Sequence, residues 1–90
     1  MANYSVEFSL AAQNVLCKMD KAQANIILAW IGKNLVGTDE PRRHGKALSA
    51  NHAGKWRYRV GDYRLIADIS DTKVTILILE VGHRSKIYKS

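Results

Sequence analysis

Residues Lys55–Arg64 read KWRYRVGDYR. Two runs of alternating apolar and polar residues flank Gly61-Asp62, and a two-residue loop led by glycine is the pattern of a type II′ hairpin turn. That turn fixes a register: Val60 opposite Tyr63, Arg59 opposite Arg64, Tyr58 opposite Leu65, and Arg57 opposite Ile66. Two arginines therefore face each other beside the turn. Like charges directly opposite on paired strands are destabilising, so the pairing calls for compensation from outside the chain. A phosphate between the guanidiniums supplies it, because arginine's planar fork gives an anion charge-assisted and often bidentate hydrogen bonds.

Downstream, YRLIADI and KVTILILEV read as two further strands, with Asp71-Thr72 as the next two-residue turn. This register sets Ile69 opposite Val74, Ile66 opposite Leu77 and Arg64 opposite Leu79. The pleat then sorts side chains by face. Trp56, Tyr58, Val60, Tyr63, Leu65, Ala67, Ile69, Val74, Ile76 and Ile78 share the face that must bury against another layer. The other face carries Lys55, Arg57, Arg59 and Arg64 at one end, with Ile66, Leu77 and Leu79 beside them. On a lone chain those three aliphatics form an exposed patch, which predicts a protein partner covering them. Asp68 and Glu80 fall on opposite faces in this register, so no carboxylate pair is available to hold a catalytic metal.

Upstream, Tyr4, Val6 and Phe8 alternate with polar neighbours as a first, half-buried strand. Ser9 caps a helix to about Lys18 with Leu10, Ala11 and Val15 on its buried side. Asp20 caps a second helix, which Gly37 ends. Its helically spaced apolar residues are Ala22, Ile26, Ala29 and Trp30, together with Ile27, Ile31 and Leu35. Trp30 offers a candidate stacking platform, but its helical spacing among isoleucines reads as core. Between Gly37 and Gly54 the chain is polar, basic and punctuated by Gly and Pro, a long loop of the kind that carries function. Leu48 ties it to the core, and His44 and His52 read as polar loop residues. The fold class is α+β: an N-terminal strand and an antiparallel helical hairpin packed on one face of a twisted, mainly antiparallel sheet ending in a three-strand meander.

Ninety residues support one domain spanning 1–90. The single cysteine, Cys17, excludes an internal disulfide and suits a reducing cytoplasm; no leader or apolar span of about 18 residues is present. Net charge is +6. Residues 1–40 are slightly acidic, and all six arginines lie between Arg42 and Arg84, so the positive excess is concentrated in the second part of the chain. Such a distribution points to a polyanion or an acidic protein partner.

The tail GHRSKIYK adds His83, Arg84, Lys86, Tyr88 and Lys89 where they can fold over the arginine face. Cations interleaved with an aromatic suit single-stranded RNA, whose splayed bases stack while the backbone is gripped electrostatically. Metal-free RNA cleavage can use the substrate's own 2′-hydroxyl as nucleophile.

PRRHGKAL, GKWRYRVGDYRLI and LEVGHRSKIY resemble blocks of the RelE/ParE toxin superfamily, most closely its RelE branch, and the resemblance runs over nearly the whole chain. It implies a cytoplasmic type II toxin, held by a cognate antitoxin, that cleaves mRNA in the ribosomal A site without metal or other cofactor. It does so by attack of the 2′-hydroxyl on the adjacent phosphate. Such a chain meets DNA only through its antitoxin. By the same resemblance Arg57 and Arg59 are the two basic positions of the first hairpin strand, Arg64 grips the scissile phosphate, Arg84 stands near the leaving oxygen and Tyr88 stacks on or orients the base. With His83 they make up the candidate catalytic set, Arg43, Lys46, Lys55 and Lys86 are the candidate RNA contacts, and the patch of Ile66, Leu77 and Leu79 is the expected antitoxin contact. RelE-type enzymes carry lysines where this chain has Arg57 and Arg59. Arginine is never a neutral base in proteins, so those two act electrostatically, and His83, with Tyr88 second, is assigned as general base. The alternative within the superfamily is a ParE-like chain that inhibits DNA gyrase and has no nuclease chemistry; a non-cleaving nucleic-acid adaptor is a third reading.

Overall fold

A computed structural model describes residues 3–49 and 54–84. Strand β1 (Ser5–Phe8) leads into helices α1 (Leu10–Lys18) and α2 (Lys21–Asn34), followed by β2 (Lys46–Ala47), β3 (Trp56–Val60), β4 (Tyr63–Ser70) and β5 (Thr75–His83). The strands form one sheet in the order β1-β5-β4-β3-β2, in which only β1 and β5 run parallel. α1 packs over β5 and α2 over β3, giving the α+β layering expected from the pleat.

Local chemistry sets both helix starts. Ser9 Oγ accepts from Ala12 N at 3.0 Å and donates to Leu79 O at 2.7 Å, so one hydroxyl caps α1 and ties its first turn to β5. The Asp20 carboxylate accepts from the backbone N–H groups of Ala22 and Gln23. The phase of α1 that follows turns Ala12, Leu16 and Met19 toward the sheet. Leu10, Ala11 and Val15, expected on the buried side, are exposed, Leu10 by 76%. On α2 the buried stripe is Ala24, Ile27 and Ile31, continued by Leu35; Ala22, Ile26 and Ala29 face outward. A sheet admits one stripe of a helix, and the i, i+3/i+4 set that includes two isoleucines and Leu35 takes it.

The helix-facing row of the sheet is the one the hairpin register selects: Tyr58, Val60, Leu65, Ala67, Ile76 and Ile78 are buried, with Trp56, Tyr63, Ile69 and Val74 packed against them. The β3–β4 register is the predicted one, and Gly61 takes the positive φ (60°) that a type II′ turn demands.

The second hairpin differs from expectation. Ser70 pairs with Thr75 and Ile69 with Ile76, so the loop has four residues, Asp71–Val74, and Val74 sits at φ 52°. This slip of two positions leaves every side chain on its expected face. A β-bulge does not. Ala67 pairs with Ile78 but Ile66 pairs with Glu80, which leaves Leu79 as the extra residue. Beyond it the alternation inverts: Val81 joins the core, and Glu80 and Gly82 turn to the far face. Asp68 and Glu80, expected on opposite faces, therefore share one.

The long loop also contains a strand that the sequence pattern did not show. Lys46 and Ala47 pair with Arg57 and Trp56, and Leu48 N donates to Lys55 O, adding an edge to the meander.

Candidate functional site

Three cross-strand rows on the far face of the sheet define the site. Lys46, Arg57, Ile66 and Glu80 form one, Arg59, Arg64 and Gly82 the next, and Asp68 and Leu77 lie beyond. The face is thus basic on β2, β3 and the start of β4, and acidic toward β5. In the Arg59–Arg64–Gly82 row the third position has no side chain, so a ligand can approach the backbone beside the two guanidiniums.

Arg64 is held against the turn it follows. Its Nη1 donates to the carbonyls of Gly61 and Tyr63, each at 3.2 Å, while its Nε is buried without a hydrogen-bond partner among the described residues. Arg84 comes to the same turn from β5: its backbone N–H donates to Asp62 O at 2.8 Å, and its Nε lies 4.0 Å from Asp62 Oδ1. With both side chains mostly exposed, that ion pair is weak and leaves the guanidinium available. The Gly61-Asp62 turn therefore gathers Arg59, Arg64 and Arg84.

His83 does not join them. Inverted by the bulge, it pairs with Tyr63 on the helix side, where the two rings meet edge to face at 5.6 Å beside the end of α1. The expectation that it folds over the arginine face is corrected by that single extra residue. Tyr88 and Lys86, as well as Lys89 and His52, lie outside the described residues. Lys55 is half-buried at the start of β3.

The expected antitoxin patch also changes. Leu77 and Leu79 are half-buried, but Ile66 is only 1% exposed and is not part of any open apolar surface. It sits between Arg57 across the ladder and Arg64 two residues before it, and the Nε atoms of both arginines are buried. Long cationic stems lie along apolar neighbours in this way, keeping their heads toward water.

The basic loop is built onto β3 rather than loosely appended. Tyr58 Oη donates to Pro41 O at 2.7 Å, Trp56 Nε1 donates to His44 O at 2.6 Å, and Gly45, at φ 84°, lies so close that a Cβ there would overlap the Arg57 carbonyl. Burial pushes the Tyr58 phenol well above its ordinary pKa, so it stays a donor. The loop's start is locked a second way: Arg42 makes two hydrogen bonds to Asp71, at 3.0 and 3.2 Å, and Tyr4 Oη donates to the same carboxylate at 2.6 Å. Those bonds hold Asp71 below the usual carboxylate range. Arg42 is thus committed to structure, whereas Arg43, 3.9 Å from Asp39, and Lys46 line an open cleft with Arg57 and Arg59. Trp30, for which the sequence favours a core role over a stacking platform, packs on the core and also walls that cleft. Its helical spacing among isoleucines favours the first role and leaves the second to the tertiary structure.

Comparison with known proteins agrees with this architecture. Residues 6–88 match the family model described as the ParE toxin of the type II toxin–antitoxin system parDE. The chain is 35% identical over 86 residues to Toxin RelG of Mycobacterium tuberculosis, covering 96% of this chain and 97% of that one. It superposes on the M. tuberculosis toxin–antitoxin complex RelBE2 with a TM-score of 0.81 at 34% identity, over 91% of this chain and 99% of the other. A mutant E. coli toxin RelE in the free state gives a TM-score of 0.73 at 19% identity, over 97% and 88%, which speaks for the fold alone.

Proposed function

Because this chain belongs to the RelE/ParE family of toxins from type II toxin–antitoxin systems, we propose that it is a RelE-type endoribonuclease, acting on mRNA in the ribosomal A site when free of its antitoxin. The observation that carries this reading is the arginine pair at the turn. Arg59 and Arg64 stand opposite each other with a glycine completing the row, and Arg84 is brought to the same turn. Such a cluster is poorly satisfied alone and well satisfied by a phosphodiester.

In the proposed reaction the 2′-hydroxyl oxygen attacks the adjacent phosphorus and loses its proton. That proton goes to the general base; the bond to the 5′ oxygen of the next nucleotide breaks and the departing oxygen takes up a proton in its place, leaving a 2′,3′-cyclic phosphate and a 5′-hydroxyl. The substrate supplies the nucleophile, so no metal-bound water is required. Negative charge grows on the phosphoryl oxygens in the transition state. Fixed guanidiniums at Arg59, Arg64 and Arg84 answer it without reorganisation, while Arg57, Lys46, Arg43 and Lys55 hold the flanking backbone. With His83 turned to the helix side, its role rests on one measurement: a pH–rate profile of His83→Ala that keeps the wild-type acidic limb removes His83 as general base and leaves Tyr88 as the second candidate.

The proposed partner is a cognate antitoxin, a reading supported by the likeness to a toxin bound in such a complex. Its segment over the far face is acidic opposite Arg57, Arg59 and Arg64, and apolar where it meets Leu77 and Leu79. The proposed compartment is the cytoplasm, where ribosomes are.

The matched family model is that of ParE, which keeps the gyrase-inhibitor reading as the alternative. One experiment separates the two. Adding the protein to a cell-free translation reaction should create new 5′ ends within codons and cyclic-phosphate termini, with no effect on DNA supercoiling. Inhibited supercoiling with intact message reverses the assignment.

A further inference from the structure

Beside the arginine pair lies a cleft of about 390 Å³ whose walls bring two aromatic side chains, Trp30 and His44, together with four cations, Arg43, Lys46, Arg57 and Arg59. Its size falls within the range of small-ligand sites, about 300–1,000 Å³. Among the described residues no carboxylate lines it. The aromatic wall is continuous with the core: the buried Tyr58 ring lies 5.7 Å from Trp30, and Trp30 lies 5.7 Å from His44 in an edge-on arrangement. The three ties that fix the basic loop to β3 also fix this cleft, so it is formed before any ligand arrives. A partly open indole and an imidazole set against four cations satisfy two needs of one ligand, a flat ring and the phosphates attached to it. An acidic peptide would answer the cations and leave the aromatic wall without a counterpart.

We propose that this cleft is a nucleotide subsite of the RNA groove, in which a base next to the scissile phosphate lies against Trp30 and His44 while Arg43 and Lys46 hold that nucleotide's own phosphate. The subsite rests on the nuclease reading and extends it. Arg57 and Arg59 form the shared wall: one end of each side chain's reach serves the scissile phosphate, the other the neighbouring nucleotide. Stacking tolerates any base, so the subsite contributes affinity and position more than sequence preference.

The test uses a fully 2′-O-methylated RNA trinucleotide, whose blocked hydroxyls prevent cleavage. Titrated into the purified toxin, it should shift the indole N–H resonance of Trp30, and Trp30→Leu and His44→Ala should each bind it about tenfold more weakly. His44→Ala alters only the loop, so it decides the matter if Trp30→Leu fails to fold. An unshifted Trp30 resonance, or variants that bind as tightly as the wild type, overturns the subsite, as does a polyglutamate peptide that shifts the resonance where RNA does not. The two readings fail separately. A protein that binds the trinucleotide at Trp30 yet never cuts message keeps the cleft and loses the nuclease. One that cuts message with unchanged KM in His44→Ala and Trp30→Leu keeps the nuclease and loses the cleft.

Discussion

Replacing Arg64 with alanine should slow message cleavage at least about a hundredfold while leaving the fold in place. In the structure the Arg64 guanidinium makes two 3.2 Å hydrogen bonds to carbonyls of its own turn, and its Nε has no partner among the described residues. Both bonds are long against a mode of about 2.9–3.0 Å. Their loss is offset by relief of the Arg59–Arg64 repulsion, an effect of order 0.2–1 kcal/mol for a cross-strand pair. Net stability should therefore change by less than about 1 kcal/mol, a shift of a few degrees in Tm at this chain length. Activity is another matter. Removing one preorganised donor from a developing oxyanion raises the barrier by about 2.7–4 kcal/mol, or about 10²–10³ in rate. The assay is single-turnover cleavage on programmed ribosomes, with thermal melts of the same preparations. Arg64→Lys, which restores charge without the bidentate fork, should fall between the two. A folded Arg64→Ala protein that cuts within about tenfold of wild type, a deficit under about 1.4 kcal/mol, refutes the cradle argument.

Gly45→Ala should be severely destabilising, because a Cβ there overlaps the Arg57 carbonyl and comes within 2.9 Å of Trp56 Nε1; urea denaturation should show a lowered midpoint, and hydrogen exchange should show loss of protection at the Trp56 indole. Tyr58→Phe strands the carbonyl of the buried Pro41 and should lower stability by about 1–3 kcal/mol in the same titration. Asp71→Asn tests the lock at the other end of the loop. The folded-state pKa of Asp71 is depressed by its bonds to Arg42 and Tyr4, so its carboxylate stabilises the fold above the unfolded value of about 3.9, and that contribution disappears as pH falls through the lower folded value. Thermal melts from neutral to strongly acidic pH should show wild type above Asp71→Asn at pH 7, with the gap closing below about pH 4; a constant gap refutes the linkage.

The first hairpin was legible in the sequence because its turn chemistry is local. Gly61-Asp62 admits one tight turn, the turn sets the register, and the register places Arg59 opposite Arg64 and chooses the core row from Trp56 to Ala67. The helix caps Ser9 and Asp20 were legible for the same reason. The second hairpin was not, since Asp71-Thr72 looks like a turn and Val74 like a strand residue. The chain instead places that β-branched residue in the left-handed region, a costly conformation, and packs its side chain against the core. No local preference announces such a trade.

What the sequence alone determined is everything that depends on neighbours within a few residues: the caps, the first turn, the alternating faces, and the concentration of positive charge after Glu40. Tertiary structure decided the rest. The bulge at Leu79 sends His83 to Tyr63 rather than to the arginines, Arg57 and Arg64 settle beside Ile66, and Trp30 meets His44 at the wall of a basic cleft. Each of these depends on which distant segments share a given volume. Strand alternation has a period of two, so one inserted residue reverses the faces beyond it, and only the packing of β5 between β4 and α1 fixes where that residue goes.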